Sequence, residues 1–331
     1  MQEGRMSAGE FARVAERALR DTIRLFGETG SPVITDGEQT KASFATYPLE
    51  GVSNIAPDGV VIPFEDGHTR QLPRLTSGPF HYGAYASTYL AAARRLTKLP
   101  VKQAVISASA LSLLYPVLEI PGYPREAFLA DLVSEAAADI RGCLEQGADS
   151  VQIDFTEGRL SLKLDPSGGL LDSFVALNNR VLDRFPPQER RRIGVHTCPG
   201  GDRDATHSAS VDYAGLLPAL FRLHVGCFYV QLASEKDPER VLEIIGRHLQ
   251  PGQTVFIGVI DPIDPVVETP AQVRDRVLQA ARRLPVQQLG TTDDCGFAPF
   301  ADDTSTPRHI AFAKIRARVE GTQLAAQELL Q

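Results

Sequence analysis

Residues 191–198 read Arg-Arg-Ile-Gly-Val-His-Thr-Cys. The centre of this stretch, Ile193-Gly194-Val195, is a short apolar run, and its exit, His196-Thr197-Cys198, is polar and chemically capable. A run this short, without alternation of apolar and polar residues, suits a strand buried on both faces of a parallel sheet. The signature recurs in both directions along the chain. Ala104 to Ser107, Ser150 to Asp154, Cys227 to Gln231, Val255 to Ile260 and Gln288 to Thr291 are predicted as further buried strands, most with β-branched residues.

Helical patterns separate most of these runs. Over Pro124 to Gln146, apolar Phe128, Leu129, Leu132, Ala136, Ile140 and Cys143 recur at the three-and-four spacing of one buried helix face. Leu170 to Arg184, Asp212 to Leu223, Pro238 to Leu249 and Pro270 to Arg283 follow the same rule. Two of them open on a capping residue followed by proline, Asp237-Pro238 and Thr269-Pro270, which is a helix entry signal. Ahead of residue 100 the pattern predicts a helix over Glu10 to Phe26 and a strand over Val33 to Thr35, then an irregular Gly- and Pro-rich segment at about 40–85. Alternating strands and helices make an α/β chain. Six strands plus Val33 to Thr35, with one more hidden in the irregular segment, would close a (β/α)8 TIM barrel, a single domain over residues 1–331. The rival is an open doubly wound sheet, but no Gly-x-Gly-x-x-Gly follows any strand to make a dinucleotide site.

The composition narrows the function classes. The chain has 331 residues, 34 Lys+Arg against 41 Asp+Glu, a formal charge of −7, 43% hydrophobic residues and no Trp. That length buries a sizeable core without staples, so a small disulfide- or metal-stapled scaffold is excluded. The acidic balance argues against a nucleic-acid surface, and the one dense basic run, Arg190-Arg191-Arg192, reads as a solvated face. No run of about 18 apolar residues suggests a membrane span, and Met1 to Glu10 lacks the basic-then-apolar pattern of a secretory signal. The expected compartment is the cytoplasm, where Cys143, Cys198, Cys227 and Cys295 would be thiols or metal ligands.

In a parallel barrel the working residues close the carboxyl ends of the strands. There the sequence places Asp154, the set His196-Thr197-Cys198, and Cys295 beside Gly296. His-x-Cys alone is a weak signal, since Cys is commonly a small buried hydrophobe and His a satisfied polar residue. Cys143, on an apolar helix face, and Cys227, at the opening of a strand, fit that bland reading. Cys295 strengthens the other one by ending a different strand. One His and two Cys with an open fourth position describe a catalytic zinc site. Zn2+ with two thiolates and a neutral imidazole sums to zero charge, so a substrate thiol can lose its proton there and stay nucleophilic. The set suits alkyl transfer to sulfur better than hydrolysis, because thiolate ligands blunt the acidity of bound water.

These residues resemble the carboxy-terminal catalytic barrel of cobalamin-independent methionine synthase and its single-barrel relatives, which include epoxyalkane:coenzyme M transferase-like proteins. The matching pieces are Asp36-Gly37-Glu38, Pro100-Val101-Lys102, Gln152-Ile153-Asp154, His196-Thr197-Cys198, Gly258-Val259-Ile260-Asp261 and Asp294-Cys295-Gly296. The resemblance implies a (β/α)8 fold, Zn2+ as cofactor, and His196, Cys198 and Cys295 as its ligands. It also implies that Glu38 and Asp154 are acidic positions of the kind that hold the amino group of homocysteine. Gln231 stands where the family usually supplies Glu as a further zinc ligand, and would act as a weak ligand or a substrate contact. No Gly-Ser-Phe segment stands near Gly30-Ser31-Pro32, and at 331 residues the chain has no room for the second, amino-terminal barrel of full-length methionine synthases. The partners implied are a small-molecule thiol acceptor and an alkyl donor, a corrinoid or a folate, with no nucleic acid and no membrane.

Around this set, Asp154 should reach substrate at the mouth, with Glu157 just beyond it. Asp261 and Asp264 follow a strong strand, and one of them would orient His196, against the plainer role of capping their own loop. Asn178 and Asn179 read as structural, and His207 and His224 as surface or capping residues. The polar loop Pro199 to Asp204 reads as a mobile cover in which Arg203 would pair with an anionic substrate group. The leading expectation is a zinc-dependent transferase moving an alkyl group, methyl above all, onto a thiol. Beside it stand zinc-dependent addition of a thiol to an epoxide, a non-catalytic metal- or small-molecule-binding barrel closed by Gln231, and a metal-free decarboxylase on a related barrel.

Overall fold

The computed structural model describes residues 6–330. Six parallel strands form its central sheet: Lys102–Ile106, Ser150–Asp154, Ile193–Thr197, Cys227–Val230, Thr254–Ile260 and Leu289–Asp293. Each is hydrogen-bonded to the next in chain order, with no reversal. Right-handed crossovers in an unreversed order carry every helix to the same face of the sheet, whereas a doubly wound sheet needs its order to turn back. The rival architecture is therefore excluded.

Two expectations at the amino-terminal side are corrected. Val33 to Thr35 meets the sheet through one residue, Ile34, in a single parallel bridge to Val101; the Ile34 N–H donates to the Pro100 carbonyl at 3.0 Å. Residues 40–85 supply no strand to the parallel sheet. They fold into two small antiparallel pairs, Ile55–Ala56 with Arg74–Leu75 and Val61–Pro63 with Thr69–Gln71. The prolines at 48, 57, 63, 73 and 79 lack the N–H that a central strand must donate, which is why this segment turns back on itself.

The predicted helices form within a few residues of their expected ends, as Arg125–Glu145, Gly169–Leu182, Tyr213–Leu220, Pro238–His248 and Pro270–Ala281. Their entries are built as the capping residues require. The Thr269 hydroxyl accepts the Gln272 N–H at 3.2 Å in a capping box, and the Asp237 carboxylate accepts the Arg240 N–H at 3.1 Å. A long helix not read from the sequence, Arg308–Leu329, packs on Pro270–Ala281, and Gly321 lets the Pro270 carbonyl and Val273 approach it closely. Among the described residues no helix is long and apolar enough to cross a membrane.

Register places the candidate site. Asp154 pairs with His196, His196 with Tyr229, and Thr197 with Val230. Cys198 and Gln231 are the next positions beyond that last pair. Side chains two apart on a strand share a face. His196 and Cys198 therefore emerge on the face of Asp154, Tyr229 and Gln231, at the carboxyl end of the sheet.

Candidate metal centre

The ligand atoms of His196, Cys198 and Cys295 lie within 4.8 Å of one another. The two sulfur atoms are 2.9 Å apart and both thiols are free, so no disulfide joins them. A proton shared between the Cys198 and Cys295 sulfurs, with His196 alongside, holds the Cys295 pKa well below the ordinary cysteine value. Sharing that proton, with burial added, drives Cys198 well up. Burial opposes a charged His196, but Cys295 and Asp154 outweigh it and raise its pKa. Two soft sulfurs and an imidazole in one buried spot form a donor set that could hold Zn2+.

The loops around this set are tied down. Asp294, beside Cys295, is buried and accepts the N–H groups of Leu232, Ala233 and Ser234 and the Ser234 hydroxyl, at 2.7–3.0 Å. Burial still lifts its pKa to about 6. Asp294 thus joins the loop carrying Cys295 to the loop after Gln231, and Gly258 leaves the space its carboxylate fills. Gln231 is oriented by its amide N–H groups, which donate to the Ser234 hydroxyl at 2.9 Å and the Glu235 carboxylate at 2.8 Å. A carboxylate cannot donate, so the Gln231 oxygen must face the other way. That oxygen is buried and has no partner among the described residues.

Asp154 lies on the same face, its Oδ1 receiving the Gln152 amide at 2.7 Å. Burial and the nearby Glu38 carboxylate raise its pKa to about 6, while His196 and Lys41 pull the other way. Glu38 is carried by the turn Asp36-Gly37-Glu38. Asp36 accepts the Glu38 N–H at 2.9 Å, and Glu38 itself holds a left-handed φ of 52°. Gly37, also left-handed, sits where a Cβ would meet Thr22 at 2.7 Å. The turn brings Glu38, Lys41 and Asp154 together, and Lys41 escaped the sequence reading altogether.

Other expected residues stand apart. The Asp261 carboxylate accepts the Ile263 N–H at 3.0 Å, closing its own loop rather than orienting His196. Asp264 does the same for Val266 at 2.9 Å. Glu157 is buried under the hydroxyls of Ser107 and Ser109, and Asn178 joins that cluster by donating to the Ser109 hydroxyl at 2.7 Å. The loop after Cys198 is a small hairpin, Gly201–Asp202 with Ala205–Thr206, not a free cover. Its Asp202 is buried against Arg70 at 2.6 Å, and Arg203 pairs with Asp302. His207 is buried beneath this hairpin with its pKa lowered to about 4, chiefly by burial, contrary to the surface role expected of it. His224 is at the surface, 2.6 Å from Asp183.

A B12-independent methionine synthase from Shewanella sp. W3-18-1, solved with selenomethionine, superposes with a TM-score of 0.76 over 98% of this chain and 91% of that one, at 18% identity. The chain has the fold of the cobalamin-independent methionine synthases. By sequence, the chain is 22% identical to the uncharacterized protein YxjH of Bacillus subtilis over 95% of its own length and 86% of that protein. It is 34% identical over 89 residues to the 2-hydroxypropyl-CoM lyase of Xanthobacter autotrophicus, a stretch covering 27% of this chain and 22% of that relative. No protein-family model matches the chain.

Proposed function

We propose that this protein is a zinc-dependent transferase that moves an alkyl group, methyl above all, onto the sulfur of a small-molecule thiol in the cytoplasm, on a single (β/α)8 barrel. The convergence of His196, Cys198 and Cys295 within 4.8 Å carries the reading. In this proposal those three residues hold the ion, and Glu38, Asp154 and Gln231 line the acceptor site. Bound there, Zn2+ would supply the pull that keeps an acceptor thiol deprotonated at neutral pH.

The chain's own residues set the rest. Asp154, with a pKa raised to about 6, sits beside His196 and can take up the proton that the acceptor thiol releases. Gln231 offers a fixed, unpartnered carbonyl oxygen toward the ligand or the substrate. As the sulfur–carbon bond forms, the bond from that carbon to the donor breaks and its electron pair leaves with the donor. A corrinoid or a folate is the donor class proposed.

A second reading, addition of the thiol to an epoxide, is favoured by the likeness to 2-hydroxypropyl-CoM lyase. It uses the same residues. The thiolate attacks an epoxide carbon, the carbon–oxygen bond opens, and the alkoxide takes a proton, so no methyl donor is consumed. Elemental analysis of protein purified under reducing conditions, followed by thiol titration of a cobalt-substituted sample, tests both readings. About one metal per chain and a thiol-dependent spectrum support them; a metal-containing site blind to every thiol would favour a closed, non-catalytic centre. Turnover with and without a methyl donor then separates transfer from addition.

A further inference from the structure

Lys41 stands in the acidic corner of the candidate acceptor site with its side chain 1% exposed. Its Nζ donates to the Glu38 carboxylate at 2.8 Å and to the Ala104 carbonyl at 2.8 Å, and lies 4.5 Å from the centre of the Tyr47 ring. An ammonium has three N–H groups. Two are taken by oxygens, and the ring face of Tyr47 receives the charge as in other cation–aromatic contacts. Burial disfavours the charged amine, but Glu38, Asp36 and Asp154 outweigh that and keep Lys41 protonated.

The surroundings of Nζ, a carboxylate, a carbonyl and an aromatic face beside Asp154, are those that would receive the ammonium of an amino-acid substrate. We infer that Lys41 occupies that seat permanently, so that the protein selects acceptor thiols lacking an ammonium group. The inference rests on the thiol-acceptor reading above. A second ammonium brought to Glu38 would meet the fixed charge of Lys41 at close range, because the Glu38 carboxylate already holds that lysine at 2.8 Å. Lys41 is thus a specificity-determining residue, and Glu38 serves to hold it.

The test uses full-length cobalt-substituted protein and reads the thiolate-to-cobalt absorption during titration with homocysteine, its desamino analogue 4-mercaptobutyrate, and 2-mercaptoethanesulfonate. The native protein should bind both ammonium-free thiols at least tenfold more tightly than homocysteine. Lys41→Met, which empties the seat, should tighten homocysteine at least tenfold relative to 4-mercaptobutyrate, while Lys41→Arg, which keeps the charge, should preserve the native order. Equal affinity of the native protein for homocysteine and 4-mercaptobutyrate would overturn the inference, and that comparison stands even if Lys41→Met does not fold. Absence of a thiolate band with every thiol would instead overturn the acceptor-site reading beneath it.

Discussion

Cys198 and Cys295 are 97 residues apart in the chain and 2.9 Å apart at their sulfur atoms. Nothing local produces that approach. Cys198 follows the strand Ile193–Thr197, and Cys295 follows the strand Leu289–Asp293, three places away in the sheet. The distance closes because Asp294 is pinned by four donors from the loop after Gln231, which lies next to Cys198 in register.

If these sulfurs hold a metal, replacing either should release it. Loss of a residue that merely orients a ligand costs about 10–100-fold in metal affinity, and loss of a ligand should cost more. Cys198→Ser and Cys295→Ser are therefore expected to drop from about one zinc per chain to a small fraction, with thiol alkylation lost in parallel. Cys143→Ser, on a helix remote from the set, should keep full metal content. Elemental analysis of the three variants decides it, and retention of metal by both Cys198→Ser and Cys295→Ser would remove the assignment.

Gln231→Glu tests the unpartnered oxygen. In the metal-free protein the new carboxylate would lie beside Glu235, where the Gln231 amide nitrogen now donates at 2.8 Å. An unsatisfied buried group of this kind costs about 1–3 kcal/mol. The metal-free variant should melt below the native protein, and zinc should raise its melting temperature by more than it raises the native one. Equal zinc-induced shifts would mean that residue 231 does not face the metal.

Much of this was legible in the chain, for identifiable reasons. Strands buried on both faces show as unbroken apolar runs, so Ser150–Asp154 and Ile193–Thr197 stood out, and their polar exits marked Asp154, His196 and Cys198. Lys41 did not, because Gln39-Thr40-Lys41 reads as a solvated turn. Its burial depends on Ala104, 63 residues away, and on the left-handed backbone of Glu38. The helix Arg308–Leu329 was hidden because Lys314, fully buried against Glu268 at 2.9 Å, interrupts the apolar stripe of Ala311, Phe312 and Ile315. Nothing in the sequence separates an Asp261 carboxylate that accepts its own loop's Ile263 N–H from one that faces the site.

Glu157 predicts a pH dependence of stability. Burial raises its pKa from 4.5 to about 7, despite the Ser107 and Ser109 hydroxyls that favour its charged form. The folded chain thus keeps a proton that the unfolded chain has released, so this contribution is present below pH 4.5 and is lost as pH rises through about 7. A gap of that size corresponds to roughly 3 kcal/mol. Glu157→Gln keeps an acceptor for both hydroxyls and removes the titration. In urea unfolding the variant should gain stability over the native protein at pH 8 and little at pH 5; the same offset at both values would assign the effect to packing.

Gly200→Ala probes the hinge between the first sulfur and the hairpin that follows it. Gly200 has φ +71°, and a Cβ there would lie 1.8 Å from Nε2 of His207. A left-handed backbone costs a non-glycine residue about 1–2 kcal/mol before any collision. His207 has little room to retreat, since its backbone N–H donates to the Pro199 and Gly200 carbonyls at 3.2 Å and Phe64 stands edge-on to its ring. The Gly200 N–H also donates to the Cys198 sulfur at 3.4 Å, so a shifted turn withdraws that donor. The variant should lose thermal stability and bind zinc about 10–100-fold more weakly in chelator competition. Adding His207→Ala removes the collision but not the backbone cost, so the double variant should recover only part of both losses. If Gly200→Ala alone keeps native stability and zinc affinity, the turn does not govern the sulfur's position.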